Sequence, residues 1–346
     1  MIKPQWQIYC KFATINQMLM KREYLFAILL AGLMPNSLLT QGQTQTKSDK
    51  QQLKVEITDN RIDVVSGIIY SQITSKYGNC QLRMTLLIPE TNEPKPAIIY
   101  YPGGGFTSAN HEKFIEMRMA LAKAGFVVAA AEYRTVPNQF PALINDAKSA
   151  VRYLRAHASQ FGIDPRYIGV IGDSAGGYVS QMMGTTNGEK RFDVGDFTEV
   201  SSDVQAAVTI YGISNLMNIG EGYSDTIQAI HASPAVTEAL LVHGPAFADY
   251  PGASILSDPQ KALDASPMGH IKENMPPFLI MHGSADLLVS PVQSEQLYEA
   301  LAEKNNKVDY VVVENAGHGD LYWYQPKLIQ TVVDWFKKNL GENSHS

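Results

Sequence analysis

Apolar residues along the 346-residue chain gather into eight runs of strand length: Gly67–Ile73, Arg83–Ile88, Ala97–Tyr101, Phe126–Tyr133, Tyr167–Ile171, Ala206–Tyr211, Phe278–Met281 and Val308–Val313. The later runs are continuously hydrophobic and β-branched, the pattern of strands covered on both faces. Between them the apolar spacing changes to a helical period. Asn110–Ala124 carries Phe114, Met117, Leu121 and Ala122, and Pro141–Phe161 carries Leu143, Ala147, Ala150, Val151 and Leu154. Pro291–Lys304 and Gln325–Leu340 follow the same rule. Two early strands followed by strand–helix alternation predict an α/β fold, a mostly parallel eight-stranded sheet with helices on both faces. One stretch breaks the rhythm. Residues 214–265 hold two strands apart with a segment rich in Gly, Pro and Tyr. Connections of that length usually function or move, and this one reads as a small insertion over the carboxyl edge of the sheet, a candidate lid.

Residues 1–42 do not fit the pattern. Lys21 and Arg22 precede the apolar stretch Tyr24–Leu33, and Pro35 and the small and polar residues to Gly42 follow it. That order predicts a signal peptide and a secreted or periplasmic protein. The apolar stretch is too short to span a bilayer, and no cysteine follows it to carry a lipid, so no membrane anchor is expected. Polar residues 43–53 read as a linker, which leaves 54–346 as one domain.

Composition narrows the classes further. The chain is 45% hydrophobic and 18% charged, ordinary values for a globular protein. Its net charge of −6 has no basic block, so nucleic acid is not an expected partner. Removal of residues 1–42 would take away four positive charges and one negative, moving −6 to −9. Of the two cysteines, Cys10 would leave with the signal and Cys80 would remain alone. Neither a disulfide framework nor a multi-cysteine metal site is then available. Composition does not address the oligomeric state.

The chemistry is concentrated after strands. "GVIGDSAGG" places a Gly-x-Ser-x-Gly turn, Gly172 to Gly176, between the run Tyr167–Ile171 and a helix predicted from about Gly177. In that context the serine sits on a sharp, strained turn that lifts its Oγ clear of the sheet, and its neighbours must lack bulk. Ser174 is the candidate nucleophile, and the adjoining helix N-terminus favours developing negative charge. "IIYYPGGGF" puts three glycines after the third strand. No Gly-Lys-Ser/Thr follows, and the spacing is wrong for a dinucleotide site. The N–H groups of Gly104 and Gly105, with that of Ala175, are candidate donors to an oxyanion. Each such donor typically contributes about 3 kcal/mol to the transition state.

An acid and a base are expected at later strand ends, in the order Ser, acid, His. "PPFLIMHGSADLLVS" carries Asp286 in the turn after the seventh strand, and "VDYVVVENAGHGDLY" reaches His318 after the eighth. A helix and a strand fit between them, so both can return to one edge. His318 would take the Ser174 proton, and Asp286 would fix the imidazole tautomer. His282 is the nearest rival base, but it precedes the acid and reads as a packing or hydrogen-bonding residue. His111 lies just after the glycines, and the remaining histidines lack a strand-end context. Asp173 and Asp320 adjoin Ser174 and His318, where side chains usually point elsewhere.

Together, "YPGGGF", the segment from "AEYRTVPNQFP" through "GDSAGG", "PPFLIMHGSADLLVS" and "NAGHG" resemble the α/β-hydrolase superfamily over about residues 80–340. Within it, the chain is most similar to secreted bacterial feruloyl and acetyl-xylan esterases and to hormone-sensitive-lipase-like carboxylesterases. The resemblance implies a serine esterase that needs no cofactor and no metal. Its substrate would be a small or polysaccharide-linked ester with a short acyl group, acetyl or feruloyl. Pro102 stands where many relatives have His before the glycines, and Asp173 is the lipase-like form of the turn. Phe106, Asp173 and Tyr211 are candidate pocket residues. A lipase, a peptidase or amidase with the same triad, and a non-catalytic binding protein are the alternatives on this fold.

Overall fold

The strands predicted from apolar runs are all present in the computed structural model, which describes residues 51–75 and 78–341. The signal peptide expected over 1–42 lies outside the described residues, as does all but the end of the linker expected over 43–53. The compact unit begins at Ile57. Its strands are β1 (Ile62–Ser75), β2 (Gly78–Pro89), β3 (Lys95–Tyr101), β4 (Val127–Ala131), β5 (Ile163–Asp173), β6 (Ala206–Ile210), β7 (Phe278–Gly283) and β8 (Val308–Val313). They form one sheet in the order β1-β2-β4-β3-β5-β6-β7-β8. β1 pairs antiparallel with β2, and β2 with β4; every other pairing is parallel. This is the α/β-hydrolase fold.

Side-chain alternation explains the continuous apolar runs. On β3, Ala97, Ile99 and Tyr101 face one core cluster while Ile98 and Tyr100 face the other, and β4 divides in the same way. Helices cover both layers. On one face lie α1 (Ile115–Lys123) and, at the end of the unit, the helix Pro326–Asn339, through Met117, Leu121, Val332 and Phe336. On the other lie α2 (Ala142–Ala156), α3 (Ala175–Thr185) and α4 (Val292–Glu303), through Ile144, Val179 and Leu297. The Pro326–Asn339 helix is α5 below.

The parallel strands place the site. From β3 the chain crosses by α1 to β4 on one side, then returns by α2 to β5 on the other. The loops after β3 and β5 therefore diverge at a topological switch point, where open α/β sheets leave a crevice at the carboxyl ends of their strands.

One expectation needs correction. β1 and β2 are longer than the runs Gly67–Ile73 and Arg83–Ile88, because their polar ends pair with each other as a hairpin and need no core. Residues 214–265, expected as a candidate lid, contribute nothing to the lining of the cleft around Ser174. They instead send Leu216 and Ile219 from a turn, Leu241 and Val242 from the short helix Thr237–His243, and Ile255 from a 3₁₀ turn into the core, while the helix Asp225–His231 buries nothing.

Candidate active site

Ser174 ends β5 and caps α3 with φ 53° and ψ −119°, a left-handed φ that a residue with a side chain adopts only when its surroundings enforce it. The enforcement is steric and hydrogen-bonded. A Cβ at Gly172 would run into the Gly176 carbonyl, and one at Gly176 into that of Tyr101. The Ser174 N–H donates to the Ile210 carbonyl at 2.9 Å, and its own carbonyl accepts from Tyr178 at 2.9 Å. The helix starts at Ala175, two residues earlier than its apolar pattern indicates, so Ser174 meets the helix N-terminus directly.

His318 and Asp286 reach this serine from the ends of β8 and β7. His318 Nε2 lies 2.8 Å from Ser174 Oγ and its Nδ1 lies 2.7 Å from Asp286 Oδ2. The Asp286 carboxylate is 2% exposed, and its Oδ1 accepts the N–H groups of Leu288 and Val289 at 2.9 and 3.0 Å. Burial alone would raise this carboxyl. Hydrogen bonds from His282 and His318, the charge of His318 and the Leu288 N–H outweigh burial and hold it well below the usual range. His282 does not approach Ser174; it touches the acid instead, with Nε2 at 3.3 Å from Asp286 Oδ2.

The glycine loop faces this pair across the cleft. Gly105 has φ 56°. The backbone N–H groups of Gly104, Gly105 and Ala175 donate to no acceptor among the described residues. Gly104 instead uses its carbonyl, which accepts from Thr107 and Ser108 at 3.0 and 3.2 Å and closes the turn. Asp173 anchors the loop: its Oδ1 accepts the Gly103 N–H at 2.9 Å and the Tyr100 hydroxyl at 2.7 Å. Lys113 Nζ donates to the Gly103 carbonyl at 3.1 Å and lies 3.9 Å from Asp173 Oδ2. Tyr133 donates to the Pro102 carbonyl at 2.6 Å, so the residue standing where relatives have His is held through its backbone.

The resulting cleft encloses about 390 Å³. Gly104, Gly105, Asp173, Ser174, Tyr211 and His318 line it, together with Lys113, Leu288 and Tyr324, which sequence reasoning missed. Lys113 and Tyr324 belong to a loop and a 3₁₀ turn and carry no periodic signal. Phe106, expected in the pocket, is not there. It is 1% exposed, has a left-handed φ of 61° and packs edge-on against Tyr178 in the core at 5.2 Å.

Tyr211 has φ 39°, and its ring lies 4.5 Å from the His318 ring and 4.7 Å from that of Trp323. Trp323 in turn donates from Nε1 to the Gly317 carbonyl at 2.8 Å, while Asp320 accepts the Gly317 N–H at 2.5 Å. These contacts fix the loop that carries His318, and only the spatial fold reveals them. No group of three or more His, Cys, Asp or Glu among the described residues is arranged to hold a metal ion.

Comparison with known proteins identifies the family and agrees with the fold. The BD-FAE family model matches residues 84–301, more than half of the chain. The chain is 34% identical over 200 residues to the probable carboxylic ester hydrolase LipM of Mycobacterium tuberculosis, a match covering 57% of this chain and 42% of that one. It spans about half the length of the curated relatives it matches. Among solved structures, it superposes on a truncated carbohydrate esterase from gut microbiota with a TM-score of 0.69 at 24% identity, over 83% of this chain and 99% of that one. An acetyl ester-xyloside bifunctional hydrolase from Caldicellulosiruptor lactoaceticus gives 0.61 at 24% identity, over 77% and 91%. Likeness at this identity shows the shared fold.

Proposed function

The chain belongs to the BD-FAE family, and from that premise we propose that it is a serine carboxylesterase acting through Ser174, His318 and Asp286. The observation that carries the reading is the unbroken chain from Ser174 Oγ through the two nitrogens of His318 to Asp286 Oδ2, at 2.8 and 2.7 Å. His318 Nε2 takes the Ser174 proton as Oγ adds to the ester carbonyl. The oxyanion forms where the free N–H groups of Gly104, Gly105 and Ala175 are available to donate. His318 then protonates the leaving alkoxide, and the acyl-enzyme is hydrolysed by water with the same imidazole as base. Asp286 keeps the proton on Nδ1 and stabilises the imidazolium.

The substrate we propose is a short acyl ester, acetyl or feruloyl, carried by plant polysaccharide. The cleft supports a hydroxyl-rich alcohol. The hydroxyls of Tyr211 and Tyr324 and the Oδ2 of Asp173 make no hydrogen bond among the described residues, and Lys113 brings an ammonium beside them. The carbohydrate and acetyl-xyloside esterases that share the fold support the same class. A second reading, longer acyl chains, is favoured by Leu287 and Leu321, which are 82% and 78% exposed beside the acid and the base. The positive-then-apolar order of residues 21–33 supports secretion or residence in the periplasm.

A series of p-nitrophenyl esters from acetate to palmitate, run beside acetylated xylan and feruloylated arabinoxylan, tests the reading. Activity should be greatest on short acyl groups and should fall by about 10⁴-fold or more in Ser174→Ala. Wild-type protein inert toward every ester, or an undiminished Ser174→Ala, would overturn it; a palmitate optimum would select the second reading.

A further inference from the structure

Asp286 is held by two histidines, and the hydrolytic scheme uses only one of them. His282 lies near the end of β7, is fully buried, and has both ring nitrogens engaged. Its Nε2 lies 3.0 Å from the Val289 carbonyl and 3.3 Å from Asp286 Oδ2, the same oxygen that accepts from His318. Both neighbours are acceptors only, so Nε2 carries a proton whatever the charge of the ring. Its Nδ1 lies 2.6 Å from the Ser294 hydroxyl of α4, a group that can donate or accept. The line Ser294–His282–Asp286–His318–Ser174 therefore has a fixed proton direction at its second joint.

We infer that His282 is a positioning residue for the acid: its Nε2–H, donated to the Val289 carbonyl at 3.0 Å, ties down the turn that carries Asp286, and its positive edge 3.3 Å from Oδ2 draws charge from that oxygen. The inference rests on the esterase reading above. Two contacts of different strength divide the work. The backbone donors of Leu288 and Val289 fix Oδ1, leaving Oδ2 shared between the two imidazoles at 2.7 and 3.3 Å. Charge drawn toward His282 is charge not offered to His318. Without His282, Oδ2 becomes the stronger acceptor and favours the imidazolium form of His318, which cannot take the serine proton. The carboxylate also loses one of its two lateral restraints. The other titratable groups packed around the pair are Tyr211, against the His318 ring; Tyr223, whose hydroxyl donates to the Asp286 carbonyl at 2.9 Å; and Asp320, in the His318 loop. Asp173 stands beyond Tyr211. None of these gives the Asp286 carboxylate a hydrogen bond, so none replaces the His282 donor.

The test is the pH profile of kcat/KM on p-nitrophenyl acetate for wild type, His282→Leu, His282→Gln and Ser294→Ala. Removal of the donor in His282→Leu should move the acid limb upward by about one pH unit. It should also lower kcat roughly tenfold while leaving KM within about twofold. His282→Gln places an amide N–H near the Nε2 position and should restore the limb most of the way. Ser294→Ala, which leaves His282 in place, should move the limb in the same direction by less. If His282→Leu does not fold, His282→Gln and Ser294→Ala carry the test by the same readout. An acid limb identical to wild type in every folded variant, with only thermal stability reduced, would overturn the inference and leave the esterase reading intact. A wild type inactive on every ester would remove the reading beneath it.

Discussion

The two walls of the cleft are built by different physics. On the β3–β5 wall, backbone does the work: three glycines, a serine with φ 53° and free N–H groups at Gly104, Gly105 and Ala175. On the β7–β8 wall, side chains do it: Asp286, His318 and His282 meet through hydrogen bonds, and Tyr211 and Trp323 pack behind them. The first wall is shaped by what cannot fit, and the second by what must touch. Substitutions on the two walls should therefore fail in different ways.

The largest effect is expected where backbone meets backbone. Gly176→Ala would drive a methyl group into the Tyr101 carbonyl, and neither partner can rotate away. The loss should be about 3 kcal/mol or more, read as a lower thermal midpoint or a failure to recover folded protein. Full stability in that variant would mean that the elbow is not sterically fixed. Gly104→Ala sharpens the point. Its Cβ would meet the Ser108 carbonyl and hydroxyl in a surface loop, so the loop should shift rather than the fold. The thermal midpoint should stay within a few degrees while kcat falls about 100-fold, the effect typical of losing one oxyanion donor.

On the other wall, losses should be graded. Trp323→Phe keeps the ring against Tyr211 and removes only the Nε1–H donated to the Gly317 carbonyl. A three- to tenfold fall in kcat, about 1 kcal/mol, is expected, with KM little changed. A fall as large as that of Gly104→Ala would erase the distinction between the walls.

A last effect, on stability and not on turnover, lies outside both walls and serves as their control. Lys148 on α2 is fully buried, donates to the Thr186 carbonyl at 3.1 Å, and burial pushes its ammonium down to about 8 against the pull of Asp193, Asp203 and Glu189. Between about pH 8 and 10.5 the unfolded lysine keeps a proton that the folded one has released. Stability therefore gains a contribution that rises with pH across that window. Urea midpoints at pH 7.5 and 10 should show this contribution in wild type and lack it in Lys148→Met.

The contrast also explains what could be read from the chain. Every strand among the described residues was legible as an apolar run, most sharply in the central strands, where burial on both faces makes the run continuous, as in Ala97–Tyr101 and Ala206–Ile210. The elbow was legible because steric exclusion writes itself in consecutive small residues. Ser174, Asp286 and His318 were legible as candidates because each follows a strand end. The support behind them was not. Asp173 clamps the glycine loop across 70 residues of chain and Trp323 binds a carbonyl in its own loop, and neither contact imposes a period or a motif. Phe106 stayed open between pocket and core for a related reason: the sequence says that an aromatic follows the glycines, but not which way it turns. β1 and β2 were shortened because a hairpin satisfies its own backbone and needs no apolar run to do so.

The strand order carries a consequence for how the chain comes to function. Ser174 and His318 are separated by 144 residues, whereas Asp286 and His318 are separated by 32. The elbow and the glycine loop sit at the middle of the sheet, while β8, which His318 follows, is an edge strand. In chain order the serine comes those 144 residues before the imidazole that would activate it. The proposed activity thus requires the edge strand β8 to be docked: a chain that ends before it would carry the turn and the glycine loop without His318, and should be inactive.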